Sequence, residues 1–170
     1  MRVEFMEVVR QRRSVRKYRP DPVPQAKLDH MLEAARLAPS WANGQCWTFV
    51  VVTDVRVKNA LAEAGNEWIE QAPVVIAACA DPTRSGEKGD QHYYLLDIGI
   101  AMEHLILAAA EQGLGTCWIG WFDEQKARKA LGVPKKIRVV ALTPVGYPDE
   151  ELEAGPRRSL GEIVRRDRWA

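Results

Sequence analysis

The chain has 170 residues, 46% of them apolar and 28% charged, with a formal net charge of +1. That length suits one domain with a sizeable core, and the composition excludes a disordered or low-complexity protein. Near-neutrality also excludes a chain that is basic throughout, so any local concentration of positive charge has been placed there.

In chain order, residues 3–11 put Phe5, Met6, Val8 and Val9 on one broad helical face. Arg12-Arg13-Ser14-Val15-Arg16-Lys17-Tyr18 comes next, and from Arg10 to Arg19 there are six Lys or Arg residues and no acid. Forked guanidinium donors and a hydroxyl this close together suit a phosphate group. The same residues equally describe a solvated basic face or a nucleic-acid patch. Pro20, Pro22 and Pro24 make the segment from Arg13 to Pro24 extended loop. A second helix places Leu28, Met31, Leu32 and Ala35 at i, i+3, i+4 and i+7, and Pro39 ends it.

Ser40-Trp41-Ala42-Asn43-Gly44-Gln45-Cys46 is a loop of cap and turn residues leading into Trp47–Thr53, a β-branched and aromatic run expected to be a buried strand. Asp54 is placed to cap a third helix with Val57, Leu61 and Ala64 on one face. After Pro73, Val74–Ala80 reads as a second strand, and 81–90 as a loop rich in Pro, Ser, Gly and charge. Residues 92–112 form the longest helix, apolar over most of its circumference, which requires a central position or a packed second subunit. Its Asp97, Glu103, His104 and Glu111 argue against a membrane span. Gly113 and Gly115 stop it, Thr116–Ile119 is a third strand, and Asp123 caps a short helix ending at Gly132. Ile137–Val145 is a fourth strand, and the tail from Pro156 is basic again. A helix pair opening the chain and irregular alternation afterwards favour one α+β domain over residues 1–170 rather than a βαβ array.

Cys46, Cys79 and Cys117 lie too far apart for a metal-binding CxxC, and His30, His92 and His104 complete no ligand spacing, so no metal is expected. Cys79 and Cys117 read as buried, inert thiols. No glycine fingerprint comes after the first strand, and Walker and GxSxG motifs are absent. The N-terminal residues lack the apolar stretch of a signal peptide, and a cytoplasmic protein is expected.

Four groups of residues, in order, resemble the FMN-dependent nitroreductase family, especially its short members. They are Arg12–Tyr18; Ala38-Pro39-Ser40-Trp41-Ala42-Asn43-Gly44-Gln45-Cys46-Trp47; Gly113-Leu114-Gly115-Thr116-Cys117-Trp118-Ile119-Gly120, running on to Leu131-Gly132-Val133-Pro134; and Val145-Gly146-Tyr147-Pro148 with Pro156–Val164. The resemblance implies an α+β, three-layer sandwich with a central, mostly antiparallel sheet. It also implies a homodimer formed through the long central helix, with FMN at the subunit interface.

Carried over position by position, Arg12, Arg13, Ser14 and Arg16 would hold the flavin phosphate and ribityl chain, with Arg157 and Arg158 reaching the same phosphate from the tail. Pro39, Ser40, Asn43 and Gln45 would border the ring edge and ribityl hydroxyls, and Ile119 and Gly120 would lie near N5. Trp41 and Trp121 would flank a flat substrate. The implied activity is reduction of nitroaromatics, quinones or similar acceptors by NADH or NADPH, with the flavin rather than a side chain performing the chemistry. The resemblance also leaves open a specialised member that fragments flavin, dehalogenates or dehydrogenates azolines. A basic nucleic-acid-binding module is a weaker rival, given the neutral net charge and the lack of aromatics among the N-terminal arginines. Cys46 departs from the family's pattern, which has proline between the Gln and the Trp. The segment 81–91 is also brief where longer members insert substrate-covering helices.

Overall fold

The computed structural model describes residues 4–169; Val3, where the first helix is expected to begin, and Ala170 lie outside them. The helices are α1 (Phe5–Gln11), α2 (Gln25–Arg36), α3 (Val55–Ala62), α4 (Tyr93–Glu111), α5 (Glu124–Leu131) and α6 (Leu160–Ile163). The strands are β1 (Trp47–Val52), β2 (Val74–Ala80), β3 (Glu87–Lys88), β4 (Gln91–His92), β5 (Gly115–Thr116) and β6 (Arg138–Gly146). Strands β1, β2, β6 and β5 form one antiparallel sheet in that order.

All seven residues of β2 are buried, because a helical layer covers each face of the sheet. Side chains alternate along a strand, so Val74, Ile76, Ala78 and Ala80 meet Leu28 and Met31 of α2 and Ile98, Met102 and Leu105 of α4. Val75, Ala77 and Cys79 point the other way, to Leu61 of α3, Ile69 and Ala127 of α5. The result is the expected three-layer α+β sandwich, with α4 packed beside α2 on one face of the sheet. By length and composition α4 is long and apolar enough to cross a membrane, yet half of its most apolar window is buried inside the domain.

The helix caps agree with the sequence. The Asp54 carboxylate accepts from the Arg56 N–H, and that of Asp123 accepts from the Gln125 and Lys126 N–H groups. Two strands differ from expectation. β1 is an edge strand rather than a buried one: among the described residues it pairs only with β2, and Thr48 and Val51 are exposed. The expected strand 116–119 pairs at Gly115 and Thr116, then touches β6 again only through an Ile119–Leu142 bridge. The register sets Cys117 opposite Pro144, which has no N–H to donate, and the ladder breaks there. Within the expected loop 81–90 and just beyond it, Glu87–Lys88 and Gln91–His92 pair as a small ribbon.

At one end of the sheet, Arg138 grips the Glu124 carboxylate through its Nε and Nη2 at 2.8 Å and donates from Nη1 to the Tyr94 hydroxyl at 2.7 Å. The Arg138 fork holds the Glu124 carboxyl below its ordinary pKa, helped by the Val139 N–H. A carboxylate depressed by folding contributes stability that is complete above its unfolded pKa, about 4.3, and is lost as pH falls through the folded value. Glu124→Gln should therefore cost on the order of 1 kcal/mol at pH 7, and urea unfolding at pH 7, 5, 4 and 3 should show the gap from wild type closing on acidification. A gap independent of pH would show that the loss is steric rather than electrostatic.

Candidate functional site

Residues 12–16 run extended beside β5, with the Val15 N–H bonded to the Thr116 carbonyl at 2.9 Å. In an extended segment alternate side chains share a face. Val15 is buried in the core on one side, and Arg12, Ser14 and Arg16 share the other. All three act on the Cys117 thiol. Burial raises its pKa, while the Arg16 charge, the Ser14 hydroxyl and the Arg12 charge pull it back down. Arg13 turns away from this group. Its Nε donates to the Leu152 carbonyl at 3.2 Å and its Nη1 to the Arg10 and Arg12 carbonyls. The four residues expected to act together thus divide into three that converge and one that ties the tail's first residues to the N-terminal segment. A hollow of about 180 Å3 lies beside them, bordered by Arg12, Arg13, Gly113 and Gly115. Glu150 completes the segment, its Oε1 accepting the Arg16 and Lys17 backbone N–H groups at 2.7 and 3.1 Å.

The loop 39–46 is held in an uncommon shape. Ala42, Asn43 and Gln45 have φ of 45°, 56° and 46°, in the left-handed region. Asparagine visits that region readily, but alanine and glutamine are disfavoured there, at a cost on the order of 1–3 kcal/mol each. Such conformations persist where surrounding contacts over-determine them. Here the Asp97 carboxylate of α4, only 3% exposed, accepts the Trp41 N–H on Oδ1 at 2.8 Å. Its Oδ2 receives the Ser85 hydroxyl at 2.7 Å and the Cys46 thiol at 3.5 Å. Within the loop, Ser40 Oγ accepts the Gln45 N–H at 3.0 Å, and Gln45 Nε2 donates to Asn43 Oδ1 at 3.2 Å. The segment 81–91 packs on top at two glycines: a Cβ at Gly44 would collide with the Arg84 carbonyl, and one at Gly86 with the Trp41 ring.

Pro39, Ser40 and Trp41 border an open, apolar hollow of about 330 Å3 with Tyr93, Leu96 and Ile100. Burial, with the Asp97 charge and its hydrogen bond, pushes the Cys46 thiol up to about 12, which keeps it protonated at neutral pH.

On the strand side, Ile119 exchanges backbone hydrogen bonds with Leu142 at 2.9 Å and buries its side chain. Gly120 and Trp121 are exposed beyond it, and Asn66 Nδ2 steadies this turn by donating to the Trp121 carbonyl at 2.8 Å. The tail behaves differently. Arg157 donates to the Gly155 and Pro156 carbonyls and Arg158 to that of Glu162. Residues 153–169 are exposed, and among the described residues no hydrogen bond joins these arginines to Arg12 or Arg16. Within one chain the N-terminal group lies by Gly113 and Gly115, past the C-terminal end of α4, and the loop 39–46 lies by Tyr93 and Asp97 near that helix's N-terminal end, about 20 Å of helix away, with the tail pair apart from both.

Asp97, Ser85, Asn66 and Glu150 were not legible as site residues. Asp97 alone carried a signal: it is an acid on the buried stripe of Tyr94, Ile98, Ala101 and Met102 in an otherwise greasy helix.

The family model described as Nitroreductase family matches residues 9–65 and 60–147. The NADH dehydrogenase of Thermus thermophilus is 34% identical over 186 residues, covering 90% of this chain and 91% of the relative. The FMN reductase (NAD(P)H) of Bacillus subtilis is 32% identical, over 91% of this chain and 70% of the relative. The solved structure of the NADPH:FMN oxidoreductase from Vibrio harveyi complexed with NAD+ superposes with a TM-score of 0.88 at 27% identity, covering 98% of this chain and 78% of that one. Relatives with other names match as well. Iodotyrosine deiodinase 1 of Rattus norvegicus is 29% identical over 95% of this chain and 68% of its own. The 5,6-dimethylbenzimidazole synthase of Rhodospirillum rubrum is 31% identical over 91% and 87%. Ordered motifs, a shared architecture and relatives spanning nearly the whole length agree, and this chain belongs to the nitroreductase family.

Proposed function

We propose that this protein is an FMN-dependent NAD(P)H oxidoreductase that reduces flat acceptors such as nitroaromatics and quinones, working as a homodimer in the cytoplasm. The observation that carries the reading is the shared face of Arg12, Ser14 and Arg16 around Cys117; the clasped loop 39–46 stands near the other end of α4, so a second copy would have to bring it to the paired site. These residues fit the cofactor. Two guanidinium groups without a carboxylate partner among the described residues, together with a hydroxyl, suit a phosphate monoester, which carries about −1.5 to −2 charges near neutral pH. Arg13, committed to three carbonyls, fixes the segment's path while keeping its charge near the phosphate.

When bound, FMN supplies hydride acceptance from NADH or NADPH and onward reduction of the acceptor. The chain's own part is to bind and orient. Ser40, Asn43 and Gln45 present short groups that both donate and accept, matching a ring edge of alternating carbonyls and nitrogens. Gly120, whose missing Cβ leaves room for the Trp118 ring, and Ile119, fixed by its bridge to Leu142, would lie along the flavin ring. Pro39, Trp41 and Trp121 supply apolar and aromatic surface for a flat acceptor or nicotinamide. No side-chain acid or base is assigned.

The dimer is supported by apolar surface that one chain leaves uncovered. Leu95, Leu96 and Ile100 of α4 are exposed, as are Phe5, Met6 and Val9 of α1 and Leu160, Ile163 and Val164 of the tail. A second copy covering α4 would let the tail carry Arg157 and Arg158 to the phosphate of the paired site. The specialised reading draws support from the deiodinase and benzimidazole-synthase relatives. The short segment 81–91, which forms a single 3-10 turn at Pro82–Arg84 and part of a two-stranded ribbon, inserts no substrate-covering helices and favours the reductase.

The purified protein should be yellow, and its visible flavin band should bleach anaerobically with NADH or NADPH and return on addition of a quinone or nitroaromatic. A band that stays oxidised with both donors overturns the assignment, and loss of the flavin itself under oxygen would favour the fragmenting alternative. Arg12→Ala and Arg16→Ala should each weaken FMN binding about 10- to 150-fold, the equivalent of one charge-assisted contact, while leaving the melting temperature of the flavin-free protein in place. Unchanged flavin occupancy would remove that arginine from the site. Leu96→Glu with Ile100→Glu should lower the mass in light scattering from twice 19.1 kDa to 19.1 kDa and abolish FMN retention.

A further inference from the structure

We infer that Asp97 is a positioning residue for the flavin ring, acting through the loop 39–46 rather than by touching the cofactor. The inference rests on the flavin reading above. Among the described residues, Asp97 is the one side chain from outside the strained loop that reaches both its ends, while Ser40 Oγ spans it from within. Oδ1 takes the Trp41 N–H at its start and Oδ2 the Cys46 thiol at its end, while the Ser85 hydroxyl ties the same oxygen to the covering segment. Between those two anchors lie the left-handed Ala42, Asn43 and Gln45. The side chains of Asn43 and Gln45 point as they do only while the backbone keeps that shape, and the local preference of Ala42 opposes it. A carboxylate 3% exposed, satisfied by three neutral donors, is costly to bury. Its placement on α4, the best-packed helix of the domain, gives the loop a fixed point that the loop's own sequence lacks.

The test uses flavin-free full-length protein titrated with FMN and with riboflavin, which has the ring but not the phosphate, with quenching of flavin fluorescence as the readout. Asp97→Leu should weaken both ligands by the same factor, roughly tenfold or more, whereas Arg12→Ala should weaken FMN and spare riboflavin. Asp97→Asn, which keeps an acceptor for the Trp41 N–H, should stay within about threefold of wild type. Adding Ala42→Gly to Asp97→Leu should recover much of the loss, because glycine adopts the left-handed shape without a clasp. Ser85→Ala, a milder lesion that spares the fold if Asp97→Leu does not, should weaken both ligands by about threefold.

Wild-type binding in Asp97→Leu, a loss confined to FMN, or no recovery with Ala42→Gly would each overturn the proposal. So would unchanged binding of both ligands in Ser85→Ala should Asp97→Leu not fold. If wild-type protein binds neither flavin, the cofactor reading fails first. Hydrogen exchange at amides 41–46, unchanged between wild type and Asp97→Leu or Ser85→Ala, would then refute the clasp as well.

Discussion

Strand β2 has no face open to water, and the layout of the molecule derives from that burial. With helices α2 and α4 on one side of the sheet and α3 and α5 on the other, chemistry has no place within the layers. It is confined to the rims, where segments leave the sheet. The basic run beside β5, the loop that feeds β1 and the turn after Ile119 are three such exits. Each is fixed by hydrogen bonds to backbone or to a buried side chain.

Within the basic run, geometry divides labour that charge alone would not. Extended backbone sends Val15 into the core, which commits Arg12, Ser14 and Arg16 to the opposite face. Arg13 pulls the start of the C-terminal segment against the N-terminal one through the Leu152 carbonyl. Glu150 does the same from the other direction, by accepting the Arg16 and Lys17 amides. The two ends of the chain are thus joined at the root of the tail, and beyond Leu152 the backbone departs with its apolar side chains uncovered.

Much of the layer structure was legible in the sequence because it rests on local signals. Asp54 and Asp123 stand where a cap must stand, and the i, i+3, i+4, i+7 spacing of α2 faces the sheet as expected. The misses are long-range. Nothing within Trp47–Val52 says that no strand among the described residues pairs on its outer side, and Cys117 gives no hint that a proline 27 residues later will face it. The site divides in the same way. The cluster of arginines was plain, but which of them serves as an anchor depends on a carbonyl 139 residues away. The turn-rich loop was plain too. The left-handed Ala42 was not, since alanine's own preference runs against it and the clasp that enforces it comes from α4.

The clasp has a chemical consequence for Cys46. A sulfur whose pKa is about 12 is ionised in roughly one molecule in 10^5 at pH 7, and peroxide and electrophiles attack the anion rather than the protonated form. The carboxylate that shapes the loop thus also holds this thiol in its protonated, less reactive form.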